Sequence, residues 1–371
     1  MTSVRNHRLL LSGNKHFVLG FCLSMLLLAC KATAPPPTSE QPTEVRPEKA
    51  KTTTVSVKKP EEPAIKPLQL ELRLPLTEEG LADHLLFDRL QVLEGFLVGF
   101  DSLQRRGLPL KVQVVNTVKV DTLAISTAPL IIEYESEVYR IYLASESRWF
   151  ESRPPMEMHT AKIARYAKKE NAVVLALTKQ TELEIRILSA LQEQHNGVRV
   201  MDKKQPSKAE IKSKLVKGRK NLVYVPTPDE NFAIYCLKLL SELKEEFKIE
   251  VFGLPNWVNF PTIDPELYAQ LPVFVTSSTA VSFNHPNSQR FQELFKSKFA
   301  GEPQTAAFIA FDHALYIGER WLEHQKWRLT TFKENSTQLA QDFNFFEVDD
   351  QLINRAVRLL EYRDYQFKPI P

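Results

Sequence analysis

"KNLVYVPTPDENFAIYCLKLLSELKEEFKIEVFG", residues 220 to 253, decides the fold. Apolar runs at 220–228 and 249–253 flank a helical pattern at 230–247, so the segment reads as strand, helix, strand. A connection of that length through a helix is what two parallel neighbouring strands require. The same alternation extends both ways. Upstream lie strands at 68–76, 110–117, 171–178 and 198–202, with helices at 85–107, 180–194 and 207–219. Downstream lie a strand at 271–278 and helices at 287–300 and 305–323. In the helix at 85–107, Leu86, Leu90, Leu93, Leu97 and Phe100 share one face and Gly107 ends it. Such alternation means a mostly parallel sheet covered on both faces, and some 300 residues need more than one.

One interval breaks the rhythm. "PLIIEYES" (129–136) and "VYRIYLAS" (138–145) are nearly contiguous. There is no room for a crossover, so they form an antiparallel hairpin or one bent strand.

The 371-residue chain opens with basic residues and a short apolar run, "FVLGFCLSMLLLA" (17–29). That run is shorter than the roughly 20 residues a spanning helix needs, and it fits a cleavable export signal. "LLAC" (27–30) resembles a bacterial lipobox, which implies cleavage before Cys30 and a lipid anchor on it. Residues 30–67 form a tether with eight prolines and almost no large apolar side chains. Such a stretch stays an extended spacer. The folded part begins near Leu68. The whole chain carries 48 Lys and Arg against 45 Asp and Glu, and the excess of three lies in the signal. The mature chain is then near neutral, which argues against a nucleic-acid partner. Beyond Cys22 and Cys30 only Cys236 remains, on the helix of the opening stretch, where it reads as a small buried hydrophobe.

Chemistry is sparse. Histidines at 84, 159, 195, 285, 313 and 324 form no HExxH and no His/Cys pair, so no metal or cofactor is expected. GxSxG, Walker and GxGxxG motifs are lacking, and only nine glycines lie beyond residue 67. Asp312 and His313 are adjacent on a helix and point about 100° apart. Asp312 is therefore expected to face a cleft or cap a neighbour, and the chain is not expected to be an enzyme.

"VLEGFLVGFDSLQRRGLPLKVQVVNT" (92–117) resembles the first helix and second strand of type I periplasmic binding proteins, the two-lobed leucine/isoleucine/valine-binding fold. "KNLVYVPTPDENFAIYCLKLLSEL" resembles the start of their second lobe. "EVFGLPNWVNFPTID", "SQRFQELFKSKFAGEPQTAAFIAFDHALYIGERWL" and "RAVRLLEYRDYQF" look like the Bacteroidetes branch, whose members are often lipoproteins. The resemblance covers 68–371. It implies two α/β Rossmann-like lobes joined by three hinge crossings. Lobe 1 would take about 68–150 and 282–340, and lobe 2 about 151–281 and 341–371. Ligands of open α/β sheets sit at the carboxyl ends of strands. The implied cleft positions are Asn116, Thr117, Ser145, Thr227, Thr276, Ser277 and Ser278, with Asn256 and Trp257 as outside candidates. Ser and Thr at strand ends are also routine turn and cap residues, and Trp257 and Phe260 also fit a role of pinning the next segment to the sheet.

The first lobe departs from the family. Glu133 and Tyr134 stand where a Gly-Pro turn is expected, and the helix that should follow is lost. With it goes a helix N-terminus that would receive an anion, which argues against the family's amino-acid recognition and marks the lobe as degenerate. Two functions remain. One is a lipid-anchored, non-catalytic module, facing the periplasm from the outer membrane, that binds a small polar solute or cell-wall fragment between its lobes. The other is a ligand-free structural or regulatory envelope lipoprotein acting on a cell-wall synthesis partner. A related two-lobed fold in an outer-membrane lipoprotein that activates peptidoglycan synthases is its precedent.

Overall fold

The structure, a computed structural model, describes residues 65–76, 83–117, 126–135 and 138–370. Residues 1–64, on which the expected signal peptide, Cys30 and most of the expected tether fall, lie outside the described residues.

The first sheet has five strands: β1 (Leu68–Leu74), β2 (Leu110–Asn116), β3 (Leu130–Glu135), β4 (Val138–Leu143) and β5 (Arg148–Glu151). They lie in the order β2-β1-β3-β4-β5. β1 runs parallel to β2 and β3, and β4 and β5 are antiparallel. The interval at 129–145 is therefore a hairpin, and β4 follows β3 directly as its neighbour in the sheet, with no helix between them. Leu68, Leu70, Leu72, Ile132 and Ile141 bury one face against α1 (Asp83–Arg105), α7 (Pro286–Phe299) and α8 (Thr305–His324). α1 and α8 approach closely because α1 carries Gly95 and Gly99. A Cβ on Gly95 would lie 2.2 Å from the Ala307 carbonyl oxygen, and one on Gly99 would lie 2.5 Å from the Ala314 Cβ.

The expected cover on both faces does not hold for this lobe. Among the described residues no helix packs on the other face. It carries a polar ladder instead: Arg140 with Glu135 and Glu151, and the Tyr142 hydroxyl donating to Glu133. Antiparallel strands tolerate one polar face, so a hairpin in place of strand–helix–strand changes the covering as well as the order.

The second sheet has seven strands. They are β6 (Val173–Thr178), β7 (Arg199–Asp202), β8 (Lys220–Tyr224), β9 (Lys248–Gly253), β10 (Val273–Ser277), β13 (Arg358–Arg363) and β14 (Gln366–Pro369). Their order is β14-β13-β10-β9-β8-β6-β7, and only β13 runs against the others, antiparallel to β10 on one side and to β14 on the other. The helices are α2 (Met156–Lys169), α3 (Glu182–Gln194), α4 (Lys208–Lys214), α5 (Glu230–Ser241) and α6 (Pro265–Ala269). β6 is buried at every position, as a strand sandwiched between helices must be. Capping boxes start α3 at Thr181 with Glu184 and α4 at Ser207 with Glu210. Cys236 is fully buried in this core.

A hairpin of β11 (Phe345–Val348) and β12 (Gln351–Asn354) completes the described strands. Phe343, Phe345 and Leu352 belong to the first-lobe core, so that lobe extends past the expected limit at 340. The reason is aromatic packing: Phe345 meets Phe150 at 5.0 Å, and Phe343 stacks on Tyr316 at 4.3 Å. At the other end Lys66 is already held, its carbonyl accepting from the Trp321 indole at 2.8 Å. Core membership changes sides between Phe150 and Met156, between Ala280 and Val281, and between Leu352 and Leu359.

Candidate functional site

The carboxyl ends of β8, β9 and β10 face the interlobe region, and two cavities open there. The front cavity, about 1020 Å³, is walled by Tyr134 and Tyr139 from the first lobe and Trp257, Phe260 and Tyr268 from the second. The other, about 1050 Å³, lies beside Trp149, Phe150, Pro155, His159 and Pro255. Arg153, Ser277 and Ser278 line both. Arg153 is exposed at the first crossing, and its guanidinium has no hydrogen bond or ion pair among the described residues.

The expected ligand positions divide sharply. Asn116 accepts from the Leu76 backbone at 3.1 Å and so closes the end of β1. Thr117, directly after β2, lines none of these cavities. Thr227 is fully buried and its hydroxyl accepts from Asp229 N at 3.2 Å. Thr276 is buried, its hydroxyl 3.0 Å from His159 Nδ1. Ser277 Oγ donates to the Thr279 carbonyl at 2.5 Å. Asn256 is exposed and lines neither cavity. Ser278 lines both, and its hydroxyl has no partner among the described residues.

Ser145 is misplaced for a cleft. β4 is antiparallel, and Leu143 pairs with Leu130 at the start of β3. Ser145 therefore sits at the amino end of the parallel strands, where its hydroxyl lies 3.4 Å from the Trp327 carbonyl. A strand-end rule applied to a reversed strand selects the wrong edge.

Trp257 presents only carbon to the front cavity. It is 1% exposed, and its indole N–H donates to the Thr227 carbonyl at 3.0 Å. The Tyr268 hydroxyl donates to the Trp257 carbonyl at 3.1 Å, and Phe260 stacks on the indole at 6.0 Å. The loop after β9 is thereby pinned to the sheet.

The crossings are tied to one another by buried polar groups, of which the sequence reading singled out only Asp312 and His313. Asp312 accepts from the backbone N–H groups of Leu339, Ala340 and Gln341 at 3.1, 2.6 and 2.9 Å. Burial pushes its pKa up to about 7, although those three donors and Arg358 act in the opposite direction. His313 Nδ1 lies 2.7 Å from the Ile309 carbonyl, which makes it the protonated nitrogen and leaves Nε2 to accept from Ser152 Oγ at 2.8 Å. Burial pushes His313 down to about 4. The Ser152 carbonyl accepts from Gln341 at 2.8 Å and from Asn354 at 2.7 Å. Arg358 grips Asp342 with two nitrogens, at 3.0 and 2.6 Å, and also donates to the carbonyls of Ala280, Leu339 and Gln338. Asp312 and His313 thus face different partners: Asp312 holds the backbone at 339–341, and the Ser152 hydroxyl that meets His313 is itself buried. Burial, with Arg153 beside it, pushes His159 down to about 4.

The described residues contain one cluster with metal-ligand chemistry, Glu323, His324 and Glu334. Arg320 already bridges both carboxylates, so each of them has a cationic partner without an ion.

No family model and no curated protein sequence matches the chain. Solved structures do. A structure assigned as a branched-chain amino acid ABC transporter from Rhodospirillum rubrum is similar over 82% of this chain and 100% of its own, with 11% identity and a TM-score of 0.55. Full-length LpoA from Haemophilus influenzae is similar over 82% of this chain, with 12% identity and a TM-score of 0.47, and this chain covers 59% of it. The LivJ substrate-binding protein from Streptococcus pneumoniae, in complex with isoleucine, is similar over 82% of this chain and 99% of its own, with 10% identity and a TM-score of 0.40. At these identities the likeness concerns the fold, which is the two-lobed α/β fold of type I periplasmic binding proteins.

Proposed function

We propose that the protein is a non-catalytic binding module of the cell envelope, lipid-anchored through Cys30 at the outer membrane and facing the periplasm. It takes a small solute or cell-wall fragment bearing a carboxylate between its lobes. The observation that carries this is Arg153. A guanidinium without a partner lines both interlobe cavities beside the free hydroxyl of Ser278. Arginine is the side chain best matched to a carboxylate, and aromatic walls with few polar groups are the usual make-up of a ligand pocket. The family's helix N-terminus is gone from the first lobe, so Arg153 takes over the anion-holding role.

The test is a thermal-shift screen of the full chain against amino acids, sugars and muropeptides. A ligand at 100 times its Kd adds about 2.7 kcal/mol. The expected result is a rise in melting temperature with a carboxylate-bearing compound that Arg153→Gln removes. No shift with any compound overturns the proposal.

A second reading, a ligand-free regulator of a cell-wall synthesis partner, is favoured by the tied crossings. Arg358, Asp312 and Asn354 hold segments that a hinge would need to move. Capture of a cell-wall synthase by the full chain, with no ligand shift, supports it.

A further inference from the structure

A third cavity, about 1160 Å³, lies between the helices of the two lobes. Its position is distinct from the cleft. On β13, Leu359 lines this furrow while its neighbour Leu360 lines the front cavity, and successive strand residues point to opposite faces. The furrow is therefore on the far side of the second sheet's edge from Trp257 and Ser278.

Its walls are basic. The end of α1 supplies Arg105 and Arg106, α7 supplies Arg290, and α2 supplies Lys162, Arg165 and Lys169. Arg358 closes the floor. Only two acidic residues line it, Glu319 and Asp342, and each is already paired, with Arg106 at 3.4 Å and with Arg358 at 2.6 Å. Arg105, Lys162, Arg165, Lys169 and Arg290 have no side-chain partner among the described residues.

This concentration is not a consequence of overall composition. The chain has 48 basic and 45 acidic side chains, and several lysines elsewhere are paired: Lys208 and Lys212 with Glu242 and Glu246, Lys220 with Glu170 and Glu250. Nor is the α2 group a simple solvated face. Lys162, Arg165 and Lys169 follow helical spacing on the side of α2 opposite Ile163, Ala164 and Ala167, yet they look across the furrow at arginines of the other lobe. Burial and the neighbouring Arg165 and Lys169 pull Lys162 below the ordinary lysine range, with Asp342 acting the other way. Positive charges facing positive charges across a partly enclosed space are an unfavourable arrangement that an anion relieves.

We propose that this furrow is a second ligand site, for a molecule carrying two or more phosphate groups. Three unpaired arginines and two unpaired lysines present more N–H donors than one carboxylate can accept, whereas linked phosphates can engage several at once. Hydroxyls of Ser282, Ser288 and Thr337 on the same walls add neutral donors. Because α2 belongs to one lobe and α1 and α7 to the other, the bound polyanion bridges the lobes. The chemistry has two sources, a soluble polyphosphate compound or a diphosphate lipid headgroup.

The test is titration calorimetry of the full chain with inorganic tripolyphosphate, with inorganic monophosphate, and with a short-chain diphosphatidylglycerol below its micelle concentration. Tripolyphosphate should bind at least tenfold more tightly than monophosphate and weaken as salt rises. Binding of tripolyphosphate alone assigns a soluble ligand; tighter binding of the short-chain lipid assigns a headgroup. The K162Q/R165Q/K169Q variant should lose at least tenfold in affinity, and so should Arg290→Gln on the opposite wall, which covers the case of a misfolded triple variant. Arg153→Gln should leave this binding unchanged, which separates the furrow from the cleft. No binding of either polyanion, or binding that neither furrow variant weakens, overturns the proposal.

Discussion

Gly253 and Trp257 are in contact through the face of the indole. A Cβ built on Gly253 would lie 2.2 Å from Trp257 Cδ2. The glycine that ends β9 is therefore required by the ring that folds back over it, and the loop geometry at the strand end depends on both.

Gly253→Ala should destabilise the protein by about 2 kcal/mol, the usual cost of overpacking a filled site. Urea denaturation should show a lower midpoint at an unchanged slope. Trp257→Phe should restore part of the loss in the double variant, because the smaller ring leaves room for the methyl group.

Asp312→Ala leaves three backbone N–H groups of the loop at 339–341 without their acceptor. The expected cost is about 3 kcal/mol, as for loss of a buried charged acceptor. Hydrogen exchange at Ala340 and Gln341 should accelerate in this variant more than exchange in β6 or β8.

Stability should fall as pH drops from about 6.5 to about 4. His159 and His313 have folded pKa values near 4 against an ordinary 6.5, so the unfolded chain takes up more protons in that window. Asp312 acts with the opposite sign. Its folded pKa of about 7 lies above the ordinary 3.8, so its contribution is present at low pH and lost as pH rises toward 7. Two histidines outweigh one carboxyl between pH 4 and 6.5. His159→Gln should flatten the slope of stability against pH, and Asp312→Asn should steepen it, as read from urea midpoints at each pH.

Arg153→Gln should raise the pKa of His159, because Arg153 is one of the two influences that depress it, after burial. NMR titration of the His159 ring reads this directly. His313 should not move.

Cys236 should resist alkylation in the native protein. It is fully buried on α5, and burial pushes its thiol well above the ordinary range. Mass spectrometry after iodoacetamide treatment should find Cys236 modified only when denaturant is present.

The second lobe was readable because its strands are continuous apolar runs separated by helices with clear starts. Spacing alone narrowed the interval at 129–145 to a hairpin or one bent strand, and the register of β3 on β4 shows the hairpin. α2 was not, because its buried residues are mainly Ala161, Ala164 and Ala167, which leave only Ile163 as a large apolar signal. β5 was missed for a similar reason: of its four residues only Phe150 is buried. The ties among the crossings join Ser152 to residues 313, 341 and 354, and no local pattern encodes such contacts. Arg153 has no motif around it; its place in the cleft follows from the crossing it stands on. The furrow was not read: Lys162, Arg165 and Lys169 stand on α2, which was itself missed, and the residues across from them come from α1 and α7.

The three passages between lobes also set an order of manufacture. The first sheet ends at Glu151, and of the helices on its apolar face only α1 precedes that point, while α7 and α8 begin at Pro286 and Thr305. A chain emerging amino end first exposes Leu70, Leu72, Ile132 and Ile141 while most of the second lobe is still being made. Such a nascent surface attracts aggregation. The lobe that begins first therefore stays open until residues far along the chain, in α7, α8 and the 343–352 segment, have been made.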